Sequence, residues 1–222
     1  SKNNFYHGIM FHHFHDDNLY KKSQGSINKD DFYRLINFIG RKNILNADEF
    51  FYRFKENTLK PKNICLTFDD SLKCQYDIAL PILEDLKIKS FFFITSSFIT
   101  DKPNLLEVYR YFRLNYFNNI DNFYNEFYKN LDKDLENFFN LSDKEIQNKK
   151  KTSPFYSISD IKFRLVRNKL LKRDEYENIM TQMFKSKNFN PEDFYSILYL
   201  NSENLLSLKK MGHLLGLHSH SH

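Results

Sequence analysis

The sequence has little cysteine and glycine, and it has no long apolar run. Its two cysteines, Cys65 and Cys74, are too few for a disulfide framework and favour a reducing compartment. The longest apolar stretch, "FFFI" at 91–94, is far too short to cross a bilayer, so we expect no transmembrane segment. Glycine is absent between Gly40 and Gly212, which predicts few sharp turns over the middle of the chain.

No charged-then-apolar signal peptide opens the sequence, and we expect a cytoplasmic protein. The chain starts at Ser1 rather than at a methionine, which is typical of a processed chain. A secreted or envelope-associated protein is therefore the alternative, if a signal segment was removed.

The net charge of +5 raises the question of a nucleic-acid partner. Basic and aromatic residues are interleaved, as in "YRYFRLNYF", but Phe, Tyr, Lys, Asn and Ile are spread over the whole chain. A nucleic-acid groove needs them concentrated on one surface. With 41% apolar and 27% charged residues, the sequence instead predicts a globular protein without a nucleic-acid partner, of undetermined oligomeric state.

Residues 1–100 are interpreted as the first part of an α/β domain. Apolar runs at 6–12, 63–69 and 89–96 predict strands. The stretches between them predict a helix within 28–42 whose end is marked by Gly40, a helix at 46–56 after an N-capping Asn46, and a helix at 72–86 with an interruption near Pro81. Strands and helices that alternate with short joints are typical of an α/β fold with a parallel sheet.

Residues 101–200 are interpreted as a helical insertion. Helical periodicity dominates at 105–112, 122–139 and 159–171, and the many Phe and Tyr side chains favour helix packing rather than a sugar-binding platform. Residues 201–222 return to the α/β domain, with a helix that ends near Gly212 and a strand, "LLGLH".

The strand at 63–69 ends in two carboxylates, Asp69 and Asp70. Sites in parallel α/β proteins form at the carboxyl ends of strands. Adjacent side chains on an extended chain point in opposite directions, so the two carboxylates are expected to differ in role, one binding a cation and the other reaching a water. The alternative is that one of them caps the following helix.

The final strand runs into "HSHSH", with His218, His220 and His222. His218 and His222 share one face on a helical turn and one side on a strand, and neutral imidazoles are good ligands for Zn or a similar ion. The alternatives are an affinity tag and exposed loop histidines, although such tags are usually unbroken histidine runs. One carboxylate and two imidazoles make three protein ligands, the usual number for a catalytic metal with an open position. The neighbouring carboxylate would then be the general base.

The segments "CLTFDDSLKCQYDIALPILEDLKIKSFFFITS" and "GHLLGLHSHSH" resemble the polysaccharide deacetylase family, carbohydrate esterase family four. The family motifs are TFDDG and H-[ST]-x-x-H. The resemblance implies that Asp69 is the catalytic base and that Asp70, His218 and His222 bind a divalent metal, with Zn as the first choice. The fold it implies is part of an irregular (β/α) barrel with a helical insertion.

The upstream "GIMFHHF" resembles the Tyr-His strand of the family, which implies that His12 lines the sugar site. A satisfied, partly buried histidine is the alternative. His220 falls at a variable position of the second motif, and Ser71 replaces the glycine of the first. The later family motifs are absent, so we expect this chain to be a fragment of a longer protein.

The function implied is removal of N-acetyl groups from a sugar or glycan by a metal-dependent hydrolase. One alternative is a related metal hydrolase of other non-peptide C–N bonds. The other is a non-catalytic module that binds a glycan or a protein partner.

Overall fold

The computed structural model describes residues 7–98 and 105–220. The chain divides into two units, one of Ser1–Glu107 and Asp193–His222 and the other of Val108–Glu192. The chain thus leaves the first unit after Glu107, forms the second unit, and returns to the first unit at Asp193.

The first unit is built on a sheet of four parallel strands. They are β1 (His7–Phe11), β2 (Ile64–Phe68), β3 (Phe91–Ile94) and β4 (Leu214–Leu217). The strands lie in chain order, with Phe11 opposite Phe68, Phe68 opposite Phe92 and Ile94 opposite Leu217. Parallel strands in chain order, joined by right-handed crossovers, keep their helices on one face, which is the arrangement of a (β/α) barrel.

A row of phenylalanines fixes this register. Phe11 stacks on Phe68 at 5.4 Å between ring centroids, and Phe68 stacks on Phe92 at 4.8 Å. Phe32 of the first helix packs edge-on against Phe11 at 5.0 Å. All four rings are buried, so a shift of one strand by one residue would expose a ring of this core.

Helices of the first unit cover the sheet and join its strands. They are α1 (Lys29–Ile39), α2 (Ala47–Lys55), α3 (Leu80–Asp85), α10 (Tyr195–Leu198) and α11 (Ser202–Lys210), with a π turn at Gln75–Ala79 before α3. Asn28 and Asp31 form a capping box at the start of α1, and Gly40 ends it with a φ of 84°. The interruption predicted near Pro81 is the junction between the π turn and α3, where proline occupies the first turn.

The second unit is helical, as predicted for the insertion. Its helices are α4 (Leu106–Asn115), α5 (Ile120–Lys129), α6 (Leu135–Leu141), α7 (Asp143–Thr152), α8 (Ile158–Leu165) and α9 (Arg173–Ser186). Its core is aromatic: Phe112, Phe123, Phe127 and Phe163 are fully buried. These rings therefore pack helices together and present no platform to a sugar.

The predicted α/β class, with a parallel sheet and a helical insertion between its third and fourth strands, is confirmed. No helix among residues 7–98 and 105–220 is long and apolar enough to cross a membrane.

Candidate active site

The strand register brings the predicted site residues to one edge of the sheet. His12 follows β1, Asp69 and Asp70 follow β2, and His218 follows β4. His218 is held there because its backbone N–H donates to the carbonyl of Ile94 at 2.9 Å. The ends of β2 and β4, which are far apart in the chain, thus meet at the carboxyl edge of the sheet, with β3 between them.

The side chains of these residues approach one another closely. Nε2 of His218 lies 3.4 Å from Oδ1 of Asp70, and Nδ1 of His218 lies 3.9 Å from Oδ2 of Asp69. Nε2 of His12 lies 3.6 Å from the second oxygen of Asp70. Asp70 therefore lies between two imidazoles, and His218 lies between two carboxylates.

The spacing of Asp70 and His218 fits two ligands of one metal ion. Two donors that bind a tetrahedral Zn at about 2.0–2.1 Å are about 3.4 Å apart. The third predicted ligand, His222, lies outside the described residues. Within the described part of the chain, no three His, Cys, Asp or Glu side chains form a complete metal-binding group.

Asp69 and Asp70 differ in their surroundings. Asp69 is 5% exposed, and its backbone N–H donates to the carbonyl of Phe11 at 3.1 Å, which extends the β1–β2 ladder by one residue. Asp70 is half-buried and has a φ of 73°, in the left-handed region. The chain thus turns sharply after Asp69, and the two carboxylates are presented differently.

Ser71 also has a left-handed backbone, with a φ of 58°. Its hydroxyl accepts a hydrogen bond from the N–H of Thr95 at 2.9 Å, and its carbonyl accepts one from Leu200 at 2.9 Å. The serine is therefore strained, but it links the end of β2 to the end of β3. A glycine, as in the family motif, would relieve the strain and lose the hydroxyl contact.

Sequence reasoning missed Gln75, which the pattern assigned only to a helix. Its side-chain amide donates to the backbone carbonyls of His12, at 2.9 Å, and of Asp69, at 2.6 Å. No local signal distinguishes this glutamine, because both acceptors come from other segments of the fold.

Two further histidines lie beside the site. Nε2 of His13 is 2.8 Å from a carboxylate oxygen of Glu107, within the first unit. Nδ1 of His220 is 3.0 Å from the hydroxyl of Ser96, after β3. Neither contact is with Asp69 or Asp70.

At the opposite edge of the sheet His213 is buried just before β4. Its Nδ1 accepts a hydrogen bond from the N–H of Ser90 at 3.0 Å, so Nε2 carries the proton toward Glu84, also at 3.0 Å. Burial lowers the pKa of His213 below its usual value near 6.5, although the hydrogen bond with Glu84 opposes this. Partial burial would raise the pKa of Glu84, but hydrogen bonds from Lys89 and His213 keep it low.

A cavity of about 570 Å³ in the first unit lies away from these residues. It is lined by polar and acidic side chains that include Asp16, Asp30 and Asp77. Asp69, Asp70, His12 and His218 do not line it, so it is distinct from the candidate site.

A family model described as polysaccharide deacetylase matches residues 56–112. A search of curated proteins found no match. Among solved structures, a de-N-acetylase from Aggregatibacter actinomycetemcomitans is similar at 20% identity over 43% of this chain and 39% of its own, with a TM-score of 0.36. The Streptococcus pyogenes deacetylase PplD, solved in complex with acetate, is 20% identical over 49% of this chain and 52% of its own, with a TM-score of 0.33.

The chain thus spans about two fifths and about half of the length of these two structures. The family match covers α3, β3 and the turn that carries the two carboxylates. The predicted resemblance to the polysaccharide deacetylase family is therefore confirmed, for the segment that includes Asp69 and Asp70.

Proposed function

We propose that this chain carries the metal site and the general base of a hydrolase that removes N-acetyl groups from a sugar or glycan. The convergence of Asp69, Asp70 and His218 at one edge of the sheet is the observation that supports this most directly. The family match over residues 56–112 supports the same reaction class.

Asp70 and His218, together with His222, would hold a divalent cation, with Zn as the first choice. The 3.4 Å between the donor atoms of Asp70 and His218 suits a shared ion. When bound, such an ion polarises a carbonyl and lowers the pKa of a water toward about 7.

Asp69 would act as the general base. Its carboxylate lies 3.9 Å from Nδ1 of His218. Because the backbone turns sharply at Asp70, the Asp69 carboxylate is presented differently from that of Asp70 and can accept a proton from a water beside the shared cation site. It accepts one proton as the water oxygen bonds to the acetamide carbonyl carbon. The C–N bond then breaks and acetate leaves, while the amine nitrogen receives the proton that Asp69 accepted.

His12 would contact the substrate. Its side chain is 37% exposed at the edge of the site, and its Nε2 faces Asp70 rather than the core. A half-exposed imidazole beside the reacting group can donate a hydrogen bond to a sugar hydroxyl or to the acetamide.

The test is acetate release from an oligomer of N-acetylglucosamine, with the protein loaded with Zn or another divalent ion. Wild type is expected to release acetate, and Asp69→Asn is expected to lose about 10²- to 10⁴-fold of the rate, the usual contribution of a general base. Asp174→Asn, at an exposed position on α9, serves as the matched control. Full acetate release by Asp69→Asn would sink the mechanism.

The same assay separates the alternatives. Release of ammonia or an amine from simple amides or cyclic ureides, without acetate from the sugar oligomer, would indicate hydrolysis of other C–N bonds. Binding of the sugar oligomer without any hydrolysis would indicate a non-catalytic module.

A further inference from the structure

We propose that Gln75 is a positioning residue for the candidate site. It holds the end of β1, with His12, against the end of β2, with Asp69 and Asp70. This inference rests on the proposed function for its effect on the reaction, but its structural part can be tested without any activity.

The contacts of Gln75 bridge two strand ends at the site. Its side-chain NH₂ group donates to the carbonyl of His12 at 2.9 Å and to the carbonyl of Asp69 at 2.6 Å. Both acceptors are main-chain atoms of residues that carry candidate functional side chains. One amide group therefore fixes the peptide planes on both sides of the β1–β2 junction.

The carbonyl oxygen of the Gln75 side chain distinguishes a positioning role from simple core packing. Gln75 is fully buried, and its Oε1 has no hydrogen-bond partner among the described residues. A buried acceptor without a partner is destabilising, and an apolar side chain of similar size would avoid that penalty. Gln75 thus provides two hydrogen bonds through its NH₂ group but leaves one buried acceptor without a partner in the described part of the chain. Core packing alone would require neither.

The local backbone supports the same role. Gln75 opens the π turn, and the N–H of Leu80 donates to its carbonyl. Such turns are frequent at functional sites, because they shift side chains out of the regular helical register. The preceding residue, Cys74, accepts a hydrogen bond through its sulfur from the N–H of Phe14 at 3.4 Å. Two successive residues thus hold the segment that contains His12 and His13.

Fixing the carbonyl of Asp69 also fixes the start of Asp70. The peptide between them leads into the left-handed conformation of Asp70, with a φ of 73°. A residue other than glycine keeps such a conformation only where its surroundings determine it. Gln75 on one side and the Ser71–Thr95 hydrogen bond on the other supply that constraint.

The experiment compares wild type with Gln75→Met and Gln75→Glu. Methionine has a similar length and no donor. Glutamate keeps the volume of the side chain and donates at most one hydrogen bond, and it provides the test if the methionine variant does not fold. Gln147→Met is the matched control, since Gln147 is an exposed glutamine on α7.

The first measurement is hydrogen exchange of the Asp69 amide, followed by NMR. This amide donates to Phe11 across the β1–β2 junction, so it reports directly on the contact that Gln75 holds. We expect its exchange to become more than about tenfold faster in Gln75→Met, with a smaller change in Gln75→Glu. The amide of Leu66, in the middle of β2, should exchange as in wild type in every variant.

The second measurement is the kinetics of acetate release. Gln75→Met is expected to lower kcat by about 10- to 100-fold, because small displacements of reacting groups have large effects on rate. KM should change less than kcat, because only one of the two carbonyls that Gln75 holds belongs to a proposed substrate contact, His12. Gln75→Glu should fall between the two proteins.

A folded Gln75→Met protein with wild-type exchange at Asp69 would overturn the inference. Faster exchange with unchanged kcat would overturn the link between Gln75 and the reaction. If wild type itself releases no acetate, the proposed function fails, and the exchange measurement alone decides the role of Gln75.

Discussion

Nε2 of His218 lies 3.4 Å from Oδ1 of Asp70, although one residue follows β4 and the other follows β2. Strand β3 lies between them in the sheet. The distance between the two side chains therefore depends on how the ends of β2 and β4 are attached to β3. Substitutions at those attachments should change stability and site geometry in ways that can be measured.

The first such attachment is the hydroxyl of Ser71. Ser71→Ala removes the acceptor for the N–H of Thr95, a buried residue, and should lower the free energy of unfolding by about 1–3 kcal/mol. Ser71→Gly loses the same hydrogen bond but relieves the left-handed strain, worth about 1 kcal/mol. Urea unfolding should therefore rank wild type above glycine and glycine above alanine. An alanine variant as stable as wild type would contradict the role of the hydroxyl.

The second attachment is the close contact between β3 and β4 at Gly216. A Cβ at this position would lie 2.7 Å from a ring carbon of Phe93, its partner on β3. Gly216→Ala should therefore push β4 away and cost about 1–3 kcal/mol of stability. It should also lower metal affinity, because His218 follows two residues later.

Two companion variants make the Gly216 test specific. Gly8→Ala on β1 adds a methyl group at an ordinary contact distance of 3.5 Å from Thr67 and should be tolerated. Phe93→Leu combined with Gly216→Ala should recover part of the loss, because the two side chains compete for one space. Additive effects in that double variant would show that the clash is not the cause.

The third prediction concerns the pH dependence of stability through His213. Its pKa is lowered in the folded state by burial, so between that value and about 6.5 the unfolded chain binds more protons. Its contribution to stability is thus complete above about pH 6.5 and is lost as the pH falls through the folded pKa. The protonated ring could no longer accept the hydrogen bond from Ser90.

The measurement is the free energy of unfolding between pH 5 and pH 7.5, for wild type and His213→Gln. Wild type should lose stability toward pH 5 more steeply than the variant. Glu84 and Lys89 lie beside the same imidazole, and the lowered pKa of Glu84 keeps its titration below this window. Parallel curves for the two proteins would exclude His213 as the titrating group.

The pattern of apolar runs predicted the sheet, because strand period and strand ends are local properties of the sequence. It placed Asp69, Asp70 and His218 at strand ends, and parallel strands bring such ends to one edge. Asn46 shows a limit of local reasoning. It precedes α2 as predicted, yet its side chain makes no cap hydrogen bond and instead accepts one from the N–H of Lys89.

The supporting contacts of the site could not be predicted. Gln75 reaches carbonyls after β1 and β2, and Ser71 reaches the end of β3, so each contact exists only once the strands are assembled. Neither residue type signals such a role, since glutamine and serine are ordinary surface residues in a sequence. His222, the predicted third ligand, lies outside the described residues and stays a prediction.

The most direct measurement titrates Zn into the metal-free protein by calorimetry and follows acetate release with the same samples. The variants are Asp69→Asn, Asp70→Asn and His218→Ala, with Asp174→Asn as control. Asp69→Asn should bind Zn nearly as tightly as wild type and release almost no acetate, whereas Asp70→Asn and His218→Ala should lose both properties. Wild-type Zn affinity in either Asp70→Asn or His218→Ala would contradict a metal site shared by these two residues.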